Sequence, residues 1–176
     1  MDPVVIAVDV GSSSARAALF DARGEALPQR FHQVPYEPRI TPDGGVEHDP
    51  AVLLRAVATC LDAVHASPEI EGVAGVGITT FWHGLLGFDA EGVPVTPISM
   101  WADTRSASEA QALRHTLDET AFHARTGCHL HASYWPARLR WLARTQPKVV
   151  AQVARWGSFG EYLETELFGE ATTSVA

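Results

Sequence analysis

Asp9-Val10-Gly11-Ser12-Ser13-Ser14-Ala15-Arg16 joins two apolar runs near the start of the chain. Just before it, Val4-Val5-Ile6-Ala7-Val8 is a short apolar run rich in β-branched residues, which reads as a buried strand. Gly11-Ser12-Ser13-Ser14 is a turn by composition, and apolar character resumes from Ala15 to Phe20. Asp21-Ala22-Arg23-Gly24 makes a second turn, and Glu25 to Val34 reads as a third, more polar strand. The chain up to Pro35 is therefore expected to be a β-meander. The same stretch carries a chemical signal, because a carboxylate ends a buried strand and small residues follow at once. Small residues let backbone N–H groups approach an anion closely, and serine hydroxyls add hydrogen bonds. Asp9 would repel a phosphate unless a metal stood between them, so the pair implies Mg²⁺, which keeps several of its waters. No Gly-Lys-Ser/Thr follows, so this is not a P-loop. A plain hairpin turn with Asp9 as an Asx-type cap accounts for the same residues, and spacing alone leaves both readings open.

Outward from the meander, Pro35 to Gly45 holds three prolines and two glycines and reads as a loop. Asp49-Pro50 then starts a helix, with Asp as N-cap and Pro at the first helical position, where its missing N–H costs nothing. Leu53, Val57, Cys60, Leu61 and Val64 fall on one apolar face of that helix, which is expected to end near Pro68. Val73 to Thr80 reads as another buried strand. Leu85 to Phe88 is expected to pair with the segment after the turn at Glu91-Gly92, and Ile98 to Trp101 is a short strand. Helices are expected over about 104 to 116, 118 to 125, 135 to 144 and 147 to 154. A strand at Trp156 to Phe159 and a helix over about 161 to 168 complete the pattern. Three strands followed by alternating helix and strand indicate an α/β class, a mixed sheet covered by helices.

Composition bounds the function. At roughly 150 residues per domain, 176 residues amount to about one domain, 1–176, with 46% hydrophobic and 19% charged residues. Lys and Arg total 13 against 21 Asp and Glu, a net charge of -8, which argues against a nucleic-acid partner. It does not exclude a phosphorylated ligand held in a local nest of N–H groups. Two cysteines, Cys60 and Cys128, are too few for a disulfide scaffold. No apolar run approaches the roughly 18 residues that cross a bilayer, so no membrane partner is expected. Met1-Asp2-Pro3 carries an acid where a secretory signal needs positive charge, and a cytoplasmic location is expected. Ala171 to Ala176 brings neither cap nor Pro nor charged tail, and reads as a chain interrupted inside a larger architecture.

Four segments in order carry a family resemblance: Asp9-x-Gly11-Ser-Ser-Ser-x-Arg16, Glu47-His48-Asp49-Pro50, Gly77-Ile78-Thr79-Thr80-Phe81-Trp82-His83-Gly84 and Trp101-Ala102-Asp103-Thr104-Arg105. Together they resemble the N-terminal domain of the FGGY carbohydrate kinases along nearly the whole chain. Trp101-Ala102-Asp103-x-Arg105-Ser106, Arg125-Thr126-Gly127 and Gly160-Glu161-Tyr162 most resemble the gluconate kinase branch. Ser12 and Ser13 stand where the family usually has Thr, which keeps the hydroxyls. Phe81-Trp82-His83-Gly84 stands where it usually has Gln-Met-His-Gly or Gln-Arg-Glu.

The resemblance implies an incomplete N-terminal domain of the actin-like ATPase (ribonuclease H-like) fold, with the second domain absent. It implies phosphoryl transfer from ATP to a hydroxyl of a sugar acid, ketose or polyol, gluconate leading. In that reading Asp9 holds Mg²⁺ through water, while Gly11, Ser12, Ser13, Ser14 and Arg16 serve the ATP phosphates. Trp82, His83, Trp101, Asp103 and Arg105 face the sugar: indoles pack on C–H faces, imidazole donates and accepts, and Arg105 orients Asp103 or meets a sugar carboxylate. Tyr134 joins them more loosely, because Ser133 takes the place where some members carry an aromatic contact. The family's catalytic base is an Asp further along, so none is assigned here and the chain alone is expected to be inactive or nearly so. The partners expected are a small-molecule sugar or sugar acid and the missing C-terminal domain, and a homodimer stays open.

Plainer readings stand beside these. Trp82 and Trp101 also suit core positions at strand ends, and Asp103 with Arg105 an ordinary loop ion pair. Cys128-His129-Leu130-His131 falls short of the four ligands of a structural zinc and reads as loop or pocket polar groups. Arg138, Arg140 and Arg144 read as the solvated face of their helix. A truncated or degenerate sugar-binding module without turnover, or another actin-like ATPase, are the competing functions.

Overall fold

The computed structural model describes residues 3–66 and 72–172. Its elements run β1 (Val4–Val10), β2 (Ser14–Phe20), β3 (Ala26–Pro35), β4 (Arg39–Ile40), β5 (Val46–His48), α1 (Pro50–His65), β6 (Val73–Thr80), β7 (Leu86–Phe88) and β8 (Ile98–Ser99). They continue with α2 (Ala107–Thr116), α3 (Glu119–Thr126), α4 (Trp135–Thr145), α5 (Pro147–Val150), β9 (Arg155–Gly157) and α6 (Phe159–Phe168). Contacts divide the chain into two compact units, Met1–Pro38 with Asp49–Phe81, and Arg39–His48 with Trp82–Ala176.

The first unit is a four-stranded mixed sheet in the order β3-β2-β1-β6, with the meander antiparallel and β6 parallel to β1. Strand side chains alternate between faces. Val4, Ile6, Val8 and Val10 of β1 and Ala15, Ala17 and Leu19 of β2 are therefore buried together on one face. There they meet Leu53, Ala56, Val57, Cys60 and Val64 of α1. Asp49 caps that helix as the sequence implies, its Oδ1 accepting from Ala51 N at 2.8 Å. Pro68, where the helix was expected to end, lies outside the described residues. The expectation of a buried strand at Val73 to Thr80 needs correction: β6 is a strand, yet most of it is exposed. It stands at the edge of the sheet, and its Gly75 and Gly77 add no side chains to be covered.

The second unit contains two small sheets, β4-β5-β8 and β7-β9, with helices α2 to α6. The segment expected to be loop from Pro35 to Gly45 contributes β4. The turn at Glu91-Gly92 forms, and Val95 N donates to Gly87 O at 2.8 Å, but the ladder partner of β7 is β9. Leu86, Phe88, Phe159 and Leu163 are buried within this unit. A separate cluster joins Ala110 and Leu113 of α2 to Leu130 and Ala137, with Phe122 packed against it. α6 starts two residues earlier than expected because Ser158 and Glu161 form a reciprocal capping box.

Candidate functional site

In the first unit, β1 carries Asp9 on the face opposite α1, since Val8 and Val10 on either side of it point into the core. Arg16 is its cross-strand partner on β2, and Arg16 Nη1 donates to Asp9 Oδ2 at 2.7 Å. The two side chains are 48% and 40% exposed, so the pair adds little stability and leaves the carboxylate within reach of solvent. Both border a depression of about 490 Å³ with Ala7, Ala18, Phe20 and Phe31. The serine turn is closed by Gly11 N donating to Ser14 O at 2.9 Å. Ser14 is buried beneath it, its Oγ accepting from Gln33 Nε2 at 3.0 Å, while Ser12 and Ser13 are exposed. Buried Tyr36 pins the turn from below, donating from Oη to Gly11 O at 2.7 Å and from N to Ser13 O at 2.9 Å. Burial, and then the charge of Asp9, push the Tyr36 hydroxyl upward, so it remains a donor. One half-exposed carboxylate beside an exposed serine turn suits Mg²⁺, which needs one or two carboxylates and fills its remaining positions with water and phosphate.

In the second unit, the structure decides against core positions for the indoles: Trp82 is 76% exposed and Trp101 54%. Between them in sequence, His83 takes φ 61°, the left-handed region that non-glycine residues rarely enter. Its ring stands edge-on to Trp82 at 6.1 Å and to Tyr134 at 4.5 Å. Burial, and then the charge of Arg138, hold the imidazole below its ordinary value, which keeps it neutral at neutral pH. Tyr134, the loosest of the expected contacts, thus lies directly against His83. Ser133 instead donates from Oγ to Trp101 O at 2.7 Å. His83 and Tyr134 also border a cavity of about 310 Å³ with Leu113, Phe122, Leu130 and Trp135. Cys128, His129 and His131 line that cavity. Among the described residues no group of three or more His, Cys, Asp or Glu is placed to hold a metal ion.

Asp103 and Arg105 sit differently from the sugar-facing placement the sequence suggests. Asp103 is 4% exposed and accepts from Arg105 Nε at 3.1 Å, Ser99 Oγ at 3.1 Å and Val46 N at 3.4 Å. Arg105 also donates to Glu47 Oε1 at 2.7 Å and lies over the Trp141 ring at 4.6 Å. Glu47 takes a second ion pair from Arg39. The side chains of Asp103 and Arg105 are consumed in bracing the loop that follows Trp101, because a buried ion needs its partners close. A Cβ on Gly45 would come within 2.8 Å of Arg105 Cζ, so only glycine lets the neighbouring loop approach this brace.

Arg138 is a correction. Expected on a solvated face with Arg140 and Arg144, it is 2% exposed, and its guanidinium donates to backbone carbonyls of His83 (2.6 Å), Ser99 (2.9 Å), Met100 and Ala132 (3.3 Å). Arg140 and Arg144 do face outward, toward Glu109 at 3.7 Å and 2.7 Å.

Residues 4–176 match the N-terminal domain of the FGGY family of carbohydrate kinases. The chain belongs to that family. Gluconokinase from Bacillus subtilis (strain 168) is 23% identical over 171 residues, which cover 97% of this chain and 33% of that protein. Xylulose kinase from Streptomyces rubiginosus is 32% identical over 177 residues, covering 97% and 35%. Among solved structures, xylulose kinase from Rhodospirillum rubrum superposes with a TM-score of 0.91 at 25% identity, over 97% of this chain and 35% of that one. The α/β fold, with its mixed sheet, is that of the FGGY sugar kinases, the actin-like ATPase fold. The chain spans about a third of the length of these FGGY relatives.

Three residues of this FGGY chain that shape the candidate site carried no role in the sequence. Tyr36 sits in what reads as a proline-rich loop, and nothing local ties it to the serine turn. Glu47 stands in a motif without a partner in view. Arg138 shares its helix with two exposed arginines, and only its position one turn after Tyr134 hinted at a different role.

Proposed function

We propose that the complete protein transfers a phosphoryl group from ATP, with Mg²⁺, to a hydroxyl of a sugar, sugar acid or polyol, with gluconate the lead acceptor. The observation that supports this reading is a pair of built features, one in each unit. One unit has a pinned serine turn beside an accessible carboxylate, and the other has a neutral imidazole with Tyr134 and the exposed Trp82 edge-on to it, and an exposed Trp101. The relatives' names, gluconokinase and xylulose kinase, support the acceptor class, and the segments Trp101-Ala102-Asp103-x-Arg105-Ser106 and Gly160-Glu161-Tyr162 favour gluconate within it.

In this proposal Ser12 and Ser13 meet the ATP phosphates, Gly11 and Ser14 close the turn beneath them, and Arg16 balances charge beside Asp9. Asp9 would hold Mg²⁺ through water, and the bound ion supplies neutralisation of charge on the phosphoryl group being transferred. Trp82 and Trp101 pack on the C–H faces of the acceptor. His83 hydrogen-bonds its hydroxyls, and Tyr134 holds the imidazole edge-on. Asp103 and Arg105 act on the acceptor through the Trp101 loop that they brace. The base that takes the acceptor's proton belongs to the part of the protein beyond residue 176, with the second domain.

The test is sugar-dependent ADP release with MgATP over a panel led by gluconate, on these 176 residues and on the complete polypeptide of the reading frame. Turnover in the complete polypeptide alone, selective for one acceptor, is expected. Turnover by the 176-residue chain would place a base among these residues, and silence in both would overturn the kinase reading.

A further inference from the structure

We propose that Arg138 is the positioning residue of the acceptor half, setting the register of the three loops that carry Trp82 and His83, Trp101, and Tyr134. Its functional consequence rests on the sugar-kinase reading above; its structural part does not.

A guanidinium taken out of water is tolerated only when its N–H groups are filled. The side chain of Arg138 is filled by main chain. Nη1 donates to His83 O at 2.6 Å and Ser99 O at 2.9 Å, Nη2 to Met100 O, and Nε to Ala132 O at 3.3 Å. Each acceptor lies on, or within two residues of, a residue proposed to meet the acceptor sugar: His83 is one, Ser99 and Met100 lie two and one before Trp101, and Ala132 lies two before Tyr134. A side chain serving only as packing has no need to converge on three separate segments.

Two further observations fit. His83 holds a left-handed φ of 61°, and its carbonyl is the acceptor of the 2.6 Å bond, so Arg138 helps to hold a strained conformation at a residue whose ring lies against Tyr134. The same loop takes a second bond from α4, Trp135 Nε1 donating to Gly84 O at 3.2 Å. Burial lowers the guanidinium to about 10, Asp103 opposing and Arg105 adding to the shift, so it stays charged at neutral pH. A lysine in its place offers one nitrogen where the fork offers three, and a buried ammonium loses its proton far more readily.

The experiment uses the complete polypeptide, wild type, Arg138→Lys and Arg138→Met, with the acceptor that the panel identifies. The expected result for Arg138→Lys is a KM for the sugar raised roughly tenfold, with kcat and the KM for MgATP within about threefold of wild type. That rise should grow between about pH 7 and about pH 9 as the lysine deprotonates, while the wild-type KM stays flat. Arg138→Met should show the larger loss at every pH, or fail to fold. A sugar KM unchanged in Arg138→Lys across that range overturns the proposal, and so does a matching loss in kcat and MgATP KM, which marks a general structural role. If the wild type phosphorylates no sugar, the kinase reading has failed and the positioning claim is read by fluorine NMR on fluorotryptophan-labelled protein. Trp82 and Trp101 resonances, assigned by Trp→Phe replacement, should then move with pH in Arg138→Lys only; unmoved resonances overturn it.

Discussion

His83 keeps a backbone conformation that costs a non-glycine residue about 1–3 kcal/mol, in a ring environment that resists protonation. Its folded-state value lies below the ordinary 6.5, so over the interval between them the unfolded chain binds more protons. The stability contributed by the neutral ring is therefore full above about pH 6.5, falls as pH drops through that value, and levels off below the folded-state value. Urea midpoints measured from about pH 8 to about pH 5 should show this decline in wild type and a smaller one in His83→Gln. Sugar affinity is expected to fall at lower pH than stability does, as the ring of the folded protein itself takes a proton, because a protonated ring can no longer accept from a hydroxyl. Asp9 makes a separate prediction. In the complete polypeptide, Asp9→Ala should remove turnover by at least about a hundredfold while leaving sugar affinity within about twofold, measured by ADP release and by calorimetric titration. Equal turnover would end the Mg²⁺ role given to this carboxylate.

Helices and strands with local signals were legible, and those whose partners lie far along the chain were not. Asp49-Pro50 announces α1 because the cap and the proline act within one turn. Asp49→Ala is expected to cost about 1 kcal/mol, read as a lowered urea midpoint with unchanged slope. The β1–β2 hairpin was visible for the same local reason, whereas the cross-strand pairing of Asp9 with Arg16 appears only in its register. By contrast, the pairing of β7 with β9 joins Leu86–Phe88 to Arg155–Gly157, and no pattern within either strand names the other. The exposure of β6 escaped for a related reason, since an apolar run with two glycines reads alike at a sheet's centre and at its edge. At the candidate site, the residue types were readable but not their depth. Trp82, His83 and Tyr134 come together, whereas Asp103 and Arg105 turn inward because Glu47, distant in sequence, supplies the second carboxylate that holds Arg105.

The sheet of the first unit has α1 on one face and leaves Val5 40% and Phe31 57% exposed on the other. Apolar surface in contact with water binds amphiphilic dyes. The 176-residue chain is therefore expected to enhance the fluorescence of anilinonaphthalene sulfonate, and Val5→Ser with Phe31→Ser should cut the signal by about half. An unchanged signal would place the dye elsewhere. The Arg138 contacts have a different reach. Every bond from its guanidinium ends on a carbonyl, a group that all amino acids share. Exchanging the side chains at Trp82, Trp101 and Tyr134 leaves all of those acceptors in place, so the frame is indifferent to the residues mounted on it. A combinatorial library randomised at those three positions with Arg138 held fixed can explore new acceptors without spending its diversity on unfolded members.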